Sequence, residues 1–263
     1  MTKGAVEVPM SISITMKSAF TPRHLQDISS CLVPISRTPP LSRLPPHTAT
    51  YDRGREPKES GVLIPLMNIK GCPHVLMQVR AHGMRVHAGE ASFPGGKADP
   101  TDRDLMHTAT RETEEELAIP PSHVQLLGGL EPEYSLGNKS RVWPFVGFVH
   151  STPNPWPNDP NSSLSSQPIS SLVPSPDEVS ALLPLPLAIL TDPARLSTHN
   201  FRLNWYKPYH KIRVEDLVIP PAPGASLDVE GLEVWGLSGW FLNKLCEKLG
   251  WLEPPEVEAS PED

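Results

Sequence analysis

The sequence predicts a single α/β (α+β) domain, on three observations. Short apolar runs bounded by turn residues alternate with helical stretches, the arrangement of strands and helices that cover both faces of one sheet. A chain of 263 residues buries one good-sized core, and no internal repeat divides it. Proline, at 33 residues, is well above its usual share and is concentrated in two segments outside the apolar runs.

Each element follows in order. Residues 1–58 contain PISRTPPLSRLPPH and little periodicity, which predicts a mostly irregular leader before a domain spanning 59–251. GVLIPLM (61–67) and HVLMQVR (74–80) read as two strands joined by a Lys-Gly-Cys-Pro turn. A double-glycine loop follows, then a helix from about Asp104 to Ala118 that stops before Pro120 and Pro121. VQLLGGL (124–130) and VWPFVGFV (142–149) are strands, the second interrupted by Pro144. Residues 151–176 hold seven prolines, eight serines and one charge, too little apolar surface to offset ordering entropy, so a disordered insertion is expected. PDEVSALLPLPLAIL suits a strand and a short helical turn, and FRLNWY with KIRVEDLVI suits a further strand pair. GLEVWGLSGWFLNKLCEKLG closes the domain as a helix with Leu237, Phe241, Leu245 and Leu249 on one stripe. An acidic tail, 252–263, should be loose.

Composition excludes some roles. A formal charge of −7 argues against nucleic acid or an anionic membrane as partner, while an anionic substrate would need a metal ion or a local arginine cluster to bind. Cys31, Cys72 and Cys246 are odd in number and far apart, so neither a disulfide framework nor a CxxC site is expected. No apolar run reaches the ~18 residues of a membrane span. Met16 to Arg43 is Ser-rich, with Lys17, Arg23, Arg37 and Arg43 against Asp27, a composition compatible with a weak organellar presequence but not a clear address.

The chemistry is concentrated in FPGGKADPTDRDLMHTATRETEEEL, residues 93–117. Four glutamates stand within Glu112–Glu116. On a helix at ~100° per residue, Glu112, Glu115 and Glu116 share one face, while Met106, Ala109, Thr113 and Leu117 form the adjoining core face. Glu114 points to solvent. Like charges at this spacing repel by a few tenths of a kcal/mol per pair. Either the face is simply solvated, or a hard cation such as Mg²⁺ or Mn²⁺ is meant to sit among the carboxylates. Arg111, four residues before Glu115, can pair with it. The glycines before the helix allow close backbone approach and favour the cation reading.

These residues resemble the Nudix box, GX5EX7REUXEEXGU, whose REXXEE core is present from Arg111 to Glu116. One extra residue separates Gly96 from Arg111, Arg103 stands at the first glutamate of the signature between Asp102 and Asp104, and Ala118 stands at its late glycine. FPGGKxDPxD with this insertion is similar to the coenzyme A diphosphatase branch of the Nudix hydrolases. The upstream motif of that branch also matches, through Arg80, Ala81, Arg85, Gly89 and Phe93 to Gly96, with Gln78 in place of a threonine.

The resemblance implies a Nudix-type α/β/α sandwich with a mixed sheet. It implies Mg²⁺- or Mn²⁺-dependent hydrolysis of CoA or acyl-CoA to adenosine 3′,5′-bisphosphate and (acyl-)phosphopantetheine. Glu112, Glu115 and Glu116 would be metal ligands, with the Gly95 carbonyl as a fourth. Glu115 or Glu178 would act as base and Arg111 as orienting residue. Arg80, Arg85, Lys97 and Gly96 would meet the substrate. Zinc is not expected, since no Cys or His partner stands near. Trp143, Trp205, Trp235 and Trp240 read as core residues, one of which could stack on a base. Relatives suggest a peroxisomal or mitochondrial location, with cytoplasm otherwise. The alternatives are a pyrophosphatase for ADP-ribose or NADH and a catalytically silent nucleotide-binding module. Oligomeric state is left open.

Overall fold

A computed structural model describes residues 17–39, 41, 58–84, 86–136, 139–153, 157, 159–204, 207–220 and 227–256. Its helices are α1 (Pro22–Cys31), α2 (Leu105–Leu117) and α3 (Gly236–Leu249). The strands are β1 (Lys58–Ile69), β2 (Cys72–Arg80), β3 (Ala91–Ser92), β4 (Gly95–Lys97), β5 (Val124–Gly129), β6 (Glu133–Ser135), β7 (Ser140–Val149), β8 (Val179–Pro186), β9 (Leu196–Asn200), β10 (Pro208–Arg213) and β11 (Glu233–Val234).

The main sheet is mixed, with β1 running parallel to β7 and antiparallel to β2. Side-chain alternation assigns its two faces. Ile64, Leu66, Val75, Met77, Val146 and Phe148 point into the core shared with α1 and α3. Leu63, Trp143 and Phe145 meet Leu105 and Ala109 of α2 on the other face. The result is the α/β/α sandwich with a mixed sheet that the sequence led us to expect. A smaller antiparallel sheet, β11-β10-β9, adjoins α3.

β1 and β2 form a hairpin through Lys70 and Gly71, both at positive φ (50° and 77°). They stay paired only between Leu66–Ile69 and Cys72–Val75, and then diverge. The glycine loop wedges into the gap, with β3 bonded to β2 and β4 to β1. This wedge brings the loop under α2.

Several expectations need correction. The leader is not simply irregular, because Pro22–Cys31 is helical. Thr21 caps it by accepting from the His24 N–H at 3.3 Å, Pro22 stands in the first turn, and Leu25 and Ile28 are buried. The 151–176 segment is held down where it is described, with Leu164 and Leu172 buried. Asn68, near the end of β1, joins leader and insertion. Its side chain accepts from Phe20 N at 2.7 Å and donates to the Phe20 and Leu164 carbonyls at 2.9 Å each. A local count of apolar residues misses such anchors, since the surface they bury belongs to the rest of the domain.

Pro144 does not interrupt β7. Its carbonyl accepts from Leu130 N, just past the end of β5, so its missing N–H falls where the neighbouring strand runs out. The partner of β10 is Leu196–Asn200 rather than FRLNWY, where Phe201–Leu203 instead form a 3-10 turn with Arg202 at φ 56°. Arg85, Trp205 and most of the acidic tail lie outside the described residues.

α2 begins at Asp104, whose side chain accepts from His107 N at 2.8 Å, and ends at Ala118 in the left-handed region (φ 55°, ψ 38°). The signature has glycine at this position, and an alanine Cβ there costs about 1 kcal/mol. Ala118→Gly is therefore expected to raise unfolding free energy by about 0.5–1 kcal/mol in urea titration, with activity unchanged.

Candidate active site

A cavity of about 560 Å³ opens where the glycine loop, α2, β2 and the start of α3 meet. Arg80, Gly95, Gly96, Lys97, Glu112, Glu116 and Glu178 line it, together with the apolar Met84, Val86, Trp235, Leu237 and Phe241. Seven of the expected site residues therefore share one cavity.

Glu116 is the most buried of the cavity acids, only 2% exposed. One of its oxygens accepts two hydrogen bonds at 2.9 Å, from Gly95 N and from Gln78 Nε2. Gln78 reaches it because β2 alternates, placing Leu76 and Gln78 on the α2 face. Burial pushes the Glu116 carboxyl up to about 7, against the pull of Gly95, Gln78 and Arg80. Glu112 is also raised by burial, with Arg111 acting in the opposite direction.

The two glycines do different work. Gly95, at φ 145°, occupies backbone space closed to other residues, since a Cβ there would lie 2.4 Å from the Gly61 carbonyl oxygen. Gly96 lets Glu112 lie against the loop, where a Cβ would come within 2.4 Å of its carboxyl carbon. Because a glutamate tip can swing aside, Gly96→Ala should misplace Glu112 rather than unfold the protein. The expected result is at least a tenfold, and up to about a hundredfold, loss of kcat with a melting temperature near wild type.

Arg111 organises the remaining acids. It donates Nε to Asp102 Oδ1 at 2.9 Å, Nη2 to Asp102 Oδ2 at 3.1 Å and to Glu112 at 2.9 Å, and Nη1 to Glu115 at 2.9 Å. Asp102 was visible in the sequence only as a neighbour of Arg103. Its side chain is fully buried and also accepts from Thr108 Oγ1 and Asp99 N, at 2.8 and 2.9 Å. Burial alone would raise its carboxyl, but Arg111 and these two donors hold it well below the usual range. Glu115 is half exposed and, with Arg111, stands outside the cavity wall. Among the described residues, no three His, Cys, Asp or Glu side chains already converge as a metal cage.

The tryptophans divide. Trp143 is buried and donates to Glu59 at 2.7 Å, and Trp240 is buried and stacked on Phe201 at 4.5 Å. Trp235, expected in the core, is 45% exposed and lines the cavity.

An α/β/α sandwich whose glycine strand lies across a glutamate helix defines a Nudix-class fold. The family model described as the NUDIX domain matches residues 57–192. The uncharacterized Nudix hydrolase NudL of Pectobacterium atrosepticum is 36% identical over 63% of this chain and 79% of its own length. NudL of Escherichia coli is 35% identical over 73% and 83%. Among solved structures, a Caenorhabditis elegans Ap4A hydrolase complex covers 49% of this chain and 81% of its own, at 17% identity and TM-score 0.37. The NUDIX domain of Shewanella oneidensis NrtR, complexed with ADP ribose, covers 53% and 80%, at 18% identity and TM-score 0.37. The chain belongs to the Nudix family and is a Nudix hydrolase.

Proposed function

We propose that the chain hydrolyses the pyrophosphate bond of coenzyme A or acyl-CoA, giving adenosine 3′,5′-bisphosphate and phosphopantetheine or its acylated form. The observation that carries an anionic substrate is Arg80. Its Nε is buried without a hydrogen-bond partner, in a cavity that also holds Lys97, Glu112 and Glu116. A guanidinium that lines a cavity with an unpaired N–H is suited to a charge-assisted bond with a phosphoryl oxygen. The motif running from Arg80 to Gly96 supports CoA over other nucleoside diphosphates.

The acids fit Mg²⁺ or Mn²⁺, since Glu112 and Glu116, the cavity side chains that would hold the ion, offer only oxygen, as do the Gly95 carbonyl and Glu115 next to them on α2. A bound divalent ion supplies charge neutralisation on the pyrophosphate and makes water more acidic. Arg80 and Lys97 bind the phosphoryl oxygens. Glu178, in the cavity wall where Glu115 is not, takes the proton from the attacking water. Arg111 orients Glu112 and Glu115 and does not itself touch substrate.

The test is a hydrolysis panel in magnesium with CoA, acetyl-CoA, dephospho-CoA, NADH and ADP-ribose, read by product chromatography. Cleavage of CoA to adenosine 3′,5′-bisphosphate, well above dephospho-CoA, is the expected result. Turnover of NADH or ADP-ribose instead would keep the glutamates and Arg80 as the diphosphate site and discard the CoA assignment.

A further inference from the structure

Large apolar side chains in the described part of the chain are exposed at five places, and two of these, Val86 (38%) and Trp235 (45%), line the same cavity. They come from opposite directions in sequence. Val86 belongs to the loop between β2 and β3, and Trp235 to the junction of β11 and α3. The second lies beyond residue 192, where the family match ends. Met84, Leu237 and Phe241 are further apolar residues of the same lining, which Arg80 and Lys97 share.

Backbone hydrogen bonds tie the base of the first loop and the main chain around Trp235. At the first, Arg80 and Glu90 are tied by Arg80 N to Glu90 O at 3.0 Å, and Gly89 N bonds Arg80 O at 3.0 Å. At the second, Gly239 N bonds the Trp235 carbonyl at 3.0 Å, while Gly236 N donates to Tyr209 Oη at 2.9 Å. Trp235 is thus held by its main chain while the residue stays 45% exposed at the cavity. An exposed apolar patch rimming a polar pocket marks a binding surface.

We propose that this apolar lining, with Trp235 as its platform, receives the nucleobase of the diphosphate substrate. Two features favour a planar heterocycle over an aliphatic chain. The indole offers a flat π face, on which any base can stack. The His87–Glu90 pair, joined at 2.9 Å, also lines the cavity and gives polar groups to a heterocycle edge, which an alkyl chain could not use. The junction of β11 and α3 thereby supplies a substrate contact to the cavity that holds the glutamates. The inference rests on the pyrophosphatase reading above, but its test does not require that CoA be the substrate.

The experiment is calorimetric titration with ADP, and separately with inorganic pyrophosphate, in magnesium, on wild type, Trp235→Ala and Trp235→Phe. ADP should bind wild type more tightly than pyrophosphate does. In Trp235→Ala the ADP affinity should fall about tenfold, within the range for loss of one stacked base, and Trp235→Phe should recover most of it. Pyrophosphate affinity should stay within twofold throughout. Equal losses for both ligands would make Trp235 a support for the phosphate end and overturn the proposal. So would unchanged ADP binding. Phosphopantetheine, titrated in parallel, should be indifferent to Trp235→Ala, and a loss confined to it would assign the lining to the aliphatic chain instead. Failure of the CoA reading shows separately, as absence of CoA cleavage in the hydrolysis panel.

Discussion

Glu116→Gln is expected to lower magnesium-dependent turnover by about a hundred- to a thousandfold while the domain stays folded. The substitution keeps the shape of the side chain, and the amide oxygen can still accept from Gly95 N and Gln78 Nε2. What it removes is negative charge, at the most buried carboxylate in the cavity, where fixed charge acts most strongly. Initial rates at saturating magnesium decide the matter, and a variant within threefold of wild type would dismiss Glu116 as a ligand. A second consequence concerns stability. The folded state holds the Glu116 proton up to about 7, above the ordinary carboxylate value of 4.5. The metal-free protein therefore has its full stability from this group below about pH 4.5. It loses about 3 kcal/mol as pH rises to about 7, at 1.36 kcal/mol per pH unit, and nothing further above that. Glu116→Gln should flatten this slope, so the difference between variant and wild type in urea titrations should grow from pH 4.5 to 7 and then level off.

Why so much of this site could be read from sequence follows from the range of its interactions. The helix face, the REXXEE spacing and the double glycine lie within 25 consecutive residues, and helical geometry alone brings Glu112 and Glu116 onto one ridge. The strands β1, β2 and β7 announce themselves by alternation for the same local reason. What escaped is what depends on distance. Gln78 meets Glu116 across 38 positions, and only the face assignment of β2 makes that contact foreseeable. Trp235 is apolar and directly follows the buried Val234 of β11, so its exposure at a cavity is invisible to any hydrophobic pattern. β9 was missed because LSTHN is polar and largely exposed, the composition of a loop. For α1 a signal did exist, in Thr21-Pro22 followed by Leu25 and Ile28, but it stands in a proline-rich context that argued for irregular chain.

Asp102→Asn should be the most destabilising of the single changes considered, by about 3 kcal/mol, because it breaks a buried pair and leaves the Arg111 guanidinium without its two-pronged partner. The carboxylate accepts four hydrogen bonds with no exposed side-chain surface, and an amide can supply only one acceptor oxygen to that set. The sign of its pH dependence is opposite to that of Glu116. Because the folded state depresses the Asp102 pKa, its stabilisation is complete above the ordinary value of 3.8 and is lost as pH falls below it. Wild type should therefore weaken toward acid pH in a way that Asp102→Asn does not. The same change bears on catalysis through Arg111, which reaches Glu112 and Glu115 from the position that Asp102 fixes. Groups that orient metal-binding side chains are typically worth ten- to a hundredfold, and a fall in kcat of that order is expected with KM for substrate little changed. Measured at a temperature where both proteins are fully folded, that fall separates the two roles. If kcat holds while stability drops, the Asp102–Arg111 pair serves the fold alone, and Glu112 keeps its place through the glycine loop.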